Sequence, residues 1–265
     1  MTGASSDARR VEALSVVVPV LNEAENIEPL VREIRAALDG RLPFEIVYAD
    51  DGSSDGTPAI LARLARALPM LSVVRHRAPC GQSAALASGV RAARHPWIAT
   101  LDGDGQNDPA DIPRLIEAIE DAQAPAGLCM AVGWRTRRND DWLRRVSSRV
   151  ANTVRAAVLG DATPDTGCGL KLFPRAVFLE LPHFDHMHRF LPALVRRQGG
   201  LTVSVPVAHR ARTRGRSKYG VHDRLWVGIV DLAGVAWLKR RMRIPLVEGP
   251  RSGDAAAGPR GDRET

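Results

Sequence analysis

The sequence predicts an α/β protein built on a mostly parallel sheet. Three observations carry this. Apolar, β-branched runs alternate with amphipathic helical segments through the first half of the chain. The runs are apolar throughout rather than alternating, as expected of strands covered on both faces. Carboxylates recur just beyond the ends of those runs.

The elements follow in order. Leu14–Val20 (LSVVVPV) reads as a strand. Ile27, Leu30, Val31, Ile34 and Leu38 fall on one face of a helix over Glu25–Leu38. Phe44–Asp50 is a second strand, Asp55–Leu68 a helix, Leu71–Arg75 a third strand and Gln82–Ala93 a helix. Trp97–Asp102 is a fourth strand. Asp108 is the expected N-cap of a helix over Pro109–Ala122, with proline at its first position. Leu128–Trp134 is a fifth strand.

Beyond this point the pattern changes. An amphipathic segment covers Asp141–Leu159, a Gly-rich turn Asp165–Gly169, and helices Arg175–Leu181 and Arg189–Gln198. A strand follows at Thr202–Val207, then a basic loop at Arg210–Lys218. An apolar segment, Leu225–Leu238, leads into Lys239, Arg240, Arg241 and Arg243. Residues 1–13 and 249–265, rich in small and charged residues, are expected to form unpacked tails. The expected organisation is one domain over 14–210, with a nucleotide-binding half to about 138 and an acceptor half after it. Residues 211–248 form a basic loop and a C-terminal helix.

Composition narrows the function. The 265 residues carry a net charge of +7, which favours anionic partners. Aromatics are 5%, too few for a base-stacking platform. No helix-turn-helix, zinc or RNP pattern appears, so a nucleic-acid partner is not expected. Cys80, Cys129 and Cys168 have no metal-ligand spacing and read as free thiols. The chain shows no secretory signal and no apolar run of about 20 residues, so no membrane-spanning helix is expected.

In open parallel sheets, ligands bind beyond the carboxyl ends of the strands. There the chain places Pro19–Glu23, Asp50–Gly56 and Asp102–Gln106. Turn chemistry alone accounts for one such cluster, but three at matching positions point to a site. Asp102 and Asp104, two apart on a Gly-rich turn, suit a hard divalent cation, Mg²⁺ or Mn²⁺, shared with phosphate oxygens. Asp50 and Asp51 are positioned to hold a ribose or base. A nucleotidyltransferase shares these carboxylates but usually has a Gly-rich phosphate loop with a lysine after the first strand; PVLNEAENI has neither.

PVLNEAENI, VYADDGSSDGT and LDGDGQNDP resemble the family 2 glycosyltransferases of GT-A fold, and within them the dolichol- and polyprenyl-phosphate mannose synthase group. The likeness extends over roughly Leu14 to Arg243. It implies that Pro19, Glu23 and Asp51 contact the nucleoside and that Asp102, Asp104 and Gln106 surround the metal and diphosphate. Arg135, Arg144 and Ser148 match that group's acceptor-phosphate pattern. Arg212-Thr213-Arg214-Gly215-Arg216-Ser217-Lys218 resembles its RxxGxSK motif, which closes over donor and acceptor; Arg212, Ser217 and Lys218 are the residues implied. Asp165 stands where many members carry an acidic residue near the reaction centre, a base where the acceptor is a hydroxyl.

The expected activity is inverting transfer of a mannose-like hexose from a GDP- or UDP-linked sugar to a polyprenyl phosphate. The alternative is a non-lipid hydroxyl acceptor in cell-envelope polysaccharide synthesis. The expected seat is the cytoplasmic face of the membrane, reached peripherally or through a membrane-protein partner. Leu225–Leu238, with its basic end, either lies in the membrane interface or packs on the core.

Overall fold

A computed structural model describes residues 10–122, 128–135, 155, 158–160, 163–211 and 222–241. It contains β1 (Leu14–Val20), α1 (Ala24–Leu38), β2 (Phe44–Asp50), α2 (Thr57–Ala67), β3 (Leu71–Arg75), α3 (Gln82–Ala92), β4 (Trp97–Thr100) and α4 (Ile112–Glu120). Then come β5 (Cys129–Arg135), β6 (Lys171–Pro174), α5 (Arg175–Glu180), α6 (Leu191–Arg197), β7 (Leu201–Val207) and α7 (His222–Arg241).

The strands form one seven-stranded sheet in the order β3-β2-β1-β4-β6-β5-β7. β1, β2, β3 and β4 run parallel, as do β5 and β7. β6 runs antiparallel to both of its neighbours, β4 and β5. This strand is the main departure from the sequence-based expectation, which put a turn at 165–169 and a helix from 175 but nothing between them. Its four residues open on a lysine and end on a proline, so they do not read as an apolar strand.

The core lies on both faces of the sheet. On one face Leu14, Val16 and Val18 of β1 meet Ile27, Leu30 and Ile34 of α1 and Ile112, Leu115 and Ile119 of α4. On the other, Val17 and Val47 meet Leu86 and Val90 of α3, and Phe173 and Phe178 stack at 5.3 Å. Alternate residues of one strand serve opposite layers.

Local caps fall close to expectation. The Asp108 carboxylate accepts the Ala110 N–H at 3.0 Å, but the turn it starts is a 3₁₀ turn, Pro109–Asp111, that runs into α4. The N-terminal tail ends earlier than expected. Val11 is buried, and its N–H donates to the Glu120 carboxylate at 3.1 Å, because this one apolar side chain has a place against the core. α7 extends past both ends of the predicted apolar segment and divides its faces. Val235 is buried and Leu232 and Ala236 pack against the core, whereas Val230 (66% exposed) and Trp237 (58%) face outward.

Candidate active site

The carboxyl edge of β1, β2 and β4 carries the candidate donor site. Asn22, after β1, has a positive φ of 52°. Its side-chain oxygen accepts the Ser54 N–H at 2.8 Å, its own N–H donates to Ser53 Oγ, and the Glu23 N–H donates to Thr57 Oγ1. The PVLNE and DDGSSDGT segments are thus bound to each other. Glu23 accepts the Asn26 amide at 2.7 Å.

Asp50 and Asp51 have different surroundings. Asp50 is buried; one oxygen accepts the Ser53 N–H at 2.9 Å and the other lies 3.2 Å from Arg75 Nε. Its place is beneath the turn, shaping it, and not on the open edge where the sequence put it. Asp51 accepts the backbone N–H groups of Cys80 and Gly81, each at 2.8 Å, and lies 2.7 Å from His76 Nδ1. Ser88 Oγ holds the other nitrogen of His76. Asp51, His76 and Cys80 offer ligand atoms within 4.8 Å of one another, but hydrogen bonds already occupy both Asp51 oxygens. The sequence reading missed His76. It follows β3 directly, so the strand-end rule applied to β3 finds it. Gly52 lets the two loops meet: a Cβ there would fall 2.7 Å from the Ala78 carbonyl carbon.

The Asp102–Gln106 turn follows β4. The Gln82 amide donates to Asp102 at 2.9 Å, and the Gln106 N–H donates to Asp104 at 3.1 Å. Gly105 has φ +72°. Desolvation, then the Asp104 charge, push the Asp102 carboxyl above its usual range, against the pull of Lys171, Arg135 and Gln82. Gly169 approaches so closely that a Cβ there would sit 2.2 Å from an Asp102 oxygen. Two neighbouring carboxylates on a Gly-rich turn offer the oxygen donors that suit a hard divalent cation. Gln106 lies beside them, and its amide donates to the Arg210 carbonyl at 3.4 Å.

Pro19, Asp102, Thr100, Gly167, Gly169, Gln82 and Lys171 line a cavity of about 250 Å³, together with His188 and Arg189. Lys171 opens β6 and is buried, and its ammonium donates to the Cys168 carbonyl. Sequence reasoning had no signal for it, because β6 itself was not visible. His188 also lines this cavity.

Arg135 ends β5. Its guanidinium makes two hydrogen bonds to Asp165, at 2.6 and 2.8 Å. The Asp165 side chain is 3% exposed, and both of its oxygens face Arg135. Desolvation opposes the Arg135 charge, but Asp165 outweighs it and raises the Arg135 pKa. Arg155 donates to Thr166 Oγ1 and to the Thr163 carbonyl, bracing the same turn. Arg210, where the basic loop starts, pairs with Asp108 at 2.6 Å and Glu33 at 2.8 Å. Arg144, Ser148, Arg212, Ser217 and Lys218 lie outside the described residues.

The model of the family "Glycosyl transferase family 2" matches residues 15–181. The chain is 37% identical over 236 residues to a dodecaprenyl-phosphate galacturonate synthase of Rhizobium johnstonii, across 86% of this chain and 67% of that protein. It is 34% identical over 219 residues to an undecaprenyl-phosphate 4-deoxy-4-formamido-L-arabinose transferase of Edwardsiella ictaluri, across 82% and 66%. The chain therefore spans about two thirds of the length of these relatives. Among solved structures, it resembles glucosyl-3-phosphoglycerate synthase of Mycobacterium tuberculosis bound to UDP, with a TM-score of 0.62 at 18% identity over 88% of this chain and 82% of that one. A Pyrobaculum calidifontis mannosyltransferase in complex with GDP-Man and Mn²⁺ gives 0.60 at 23% identity, over 88% and 65%. The seven-stranded, mostly parallel sheet is the GT-A fold.

Proposed function

The chain belongs to glycosyl transferase family 2, and on that premise we propose that it moves a hexose unit from a GDP- or UDP-linked sugar to a polyprenyl phosphate, with inversion. The observation that carries this reading is the pairing of two sites across β4, β6 and β5. An Asp102–Asp104 carboxylate turn stands on one side, and a buried Asp165 clamps Arg135 on the other. The relatives named above are polyprenyl-phosphate sugar enzymes, which supports the lipid acceptor. Neither is named for mannose, so the mannose-like donor expected from sequence gains no support from them.

In this reading Pro19, Glu23 and Asp51 form the nucleoside end, and Asp102, Asp104 and Gln106 would hold Mg²⁺ or Mn²⁺. The bound cation would neutralise charge on the leaving diphosphate. Arg135, with Arg144 and Ser148, receives the acceptor phosphate. Arg212 and Lys218 would add positive charge at the diphosphate, and Ser217 would hydrogen-bond the acceptor phosphate. An oxygen of the lipid phosphate attacks the anomeric carbon as the bond to the nucleoside diphosphate breaks. A phosphate oxygen is already ionised at neutral pH, so positioning and charge stabilisation carry the rate. Asp165 fits this scheme as a positioning residue acting through Arg135; engagement of both its oxygens speaks against a base for a hydroxyl acceptor. The outward Val230 and Trp237 of α7, close in sequence to Arg240 and Arg241, suit the membrane interface. No helix among the described residues is long and apolar enough to cross a membrane.

The test is a donor screen with a short polyprenyl phosphate and either cation, following release of nucleoside diphosphate. Release that requires the lipid and falls by about 10³-fold or more in Asp104→Asn is the expected result. Release to a soluble glycan hydroxyl but not to the lipid would overturn the acceptor assignment.

A further inference from the structure

The cavity beside Asp102 has a chemistry that the transfer reaction alone does not require. Among its lining residues Asp102 is the one carboxylate, and Gln82 engages it at 2.9 Å. Two cations share the wall. Lys171 is 3% exposed, with its ammonium against the Cys168 carbonyl. Arg189 is half-buried at the same wall, within electrostatic reach of Asp231.

His188 adds a held polar ring. Ser83 Oγ accepts the His188 backbone N–H at 3.3 Å and lies 2.8 Å from His188 Nδ1. With Nδ1 engaged by Ser83, Nε2 is the ring nitrogen left for a ligand. Burial, then Lys171 and Arg189, push the His188 pKa down to about 3, so the ring stays neutral. A sugar bearing only hydroxyls needs a balanced set of donors and acceptors. This wall offers mainly donors, two of them cationic, against the single carboxylate of Asp102.

We propose that the donor sugar is a hexuronic acid, its carboxylate received in this cavity by Lys171 and Arg189 with His188 beside them. The inference rests on the nucleotide-sugar reading above and specifies its substrate class. It also separates the sugars named for the two relatives: a galacturonate carries the carboxylate and a formamido-arabinose does not.

The experiment compares matched donors that differ only in oxidation at C6: UDP-galacturonate with UDP-galactose, UDP-glucuronate with UDP-glucose, and GDP-mannuronate with GDP-mannose. Donor binding without lipid and turnover with a short polyprenyl phosphate are both measured. Wild type should favour one uronate over its neutral partner by about a hundredfold in kcat/KM, on the scale of one or two charge-assisted bonds. Arg189→Gln and Lys171→Gln should each reduce that preference about tenfold or more, mostly through the uronate. Arg189 is half-buried, so its variant keeps the test open if Lys171→Gln fails to fold. Turnover that favours a neutral sugar overturns the inference and leaves the glycosyltransferase reading intact. A rise in KM for the lipid phosphate with donor binding unchanged assigns the cations to the acceptor and also overturns it. Absence of turnover with every donor overturns the reading beneath it instead.

Discussion

At the scale of single residues, the Arg135–Asp165 pair decides between the two acceptor chemistries. Asp165→Asn keeps the shape but removes the charge that holds a mostly buried guanidinium. The expected cost is about 3 kcal/mol of stability, the lower end for an interrupted buried pair. If Asp165 acts through Arg135, the variant raises KM for the lipid phosphate more than it lowers kcat, and the pH–rate profile keeps its shape. Loss of the basic limb of the profile together with kcat would reassign Asp165 as a base. Thermal unfolding and steady-state kinetics on one preparation read both effects. This pair also marks where sequence reading stops. Arg135 and Asp165 were each singled out, but they lie 30 residues apart and nothing in either segment names the other. Asp50 and Asp51 are adjacent and alike in sequence. Only the fold shows that Asp50 underpins the turn while Asp51 receives His76 and the backbone of residues 80 and 81.

At the scale of elements, the first five strands were legible as apolar runs set between helices whose amphipathic period is plain. β6 was not, since KLFP between a glycine turn and a helix carries no pattern of its own. Glu45 of β2 shows how the legible elements are tied together. Its carboxylate accepts from Ser15 Oγ at 2.6 Å, from the Arg94 N–H at 2.6 Å and from Arg94 Nε at 2.7 Å. It thereby joins β1, β2 and the turn before β4. Desolvation acts to raise its pKa, but these hydrogen bonds outweigh it and the net shift is downward. A lowered folded pKa adds stability above the ordinary carboxyl range and loses it as pH falls through the lowered value. Glu45→Gln should therefore cost about 1–3 kcal/mol near neutrality. The gap from wild type should narrow on acidification. Urea titrations across pH check this, and a gap constant with pH would show that the charge contributes nothing.

At the scale of the whole molecule, the proposed membrane contact draws on the +7 charge and on the outward face of α7. Binding to vesicles containing anionic lipid should weaken steeply with salt. The double change Arg240→Ser with Arg241→Ser should remove about 2 kcal/mol, from about 1 per surface cation. Trp237→Ser should weaken binding at high and low salt alike, because its share is apolar. Vesicle sedimentation reads all three. Binding unchanged by either substitution would move the membrane contact away from α7.

The reversed strand has a further consequence. β3, β2, β1 and β4 form one sheet block and β5 with β7 another, and within the sheet only the four residues of β6 join them. β5 meets β6 over just two paired residues, Ala131 with Leu172 and Val132 with Lys171. Mechanically, β6 is the keystone of an arch whose two limbs come from different stretches of the chain. Because it runs against β4, it presents its first residue, Lys171, beside that strand's last, Thr100. Load that spreads the two limbs falls first on the ladder flanking that lysine, so a deformation there reaches the floor of the cavity before any loop above it moves.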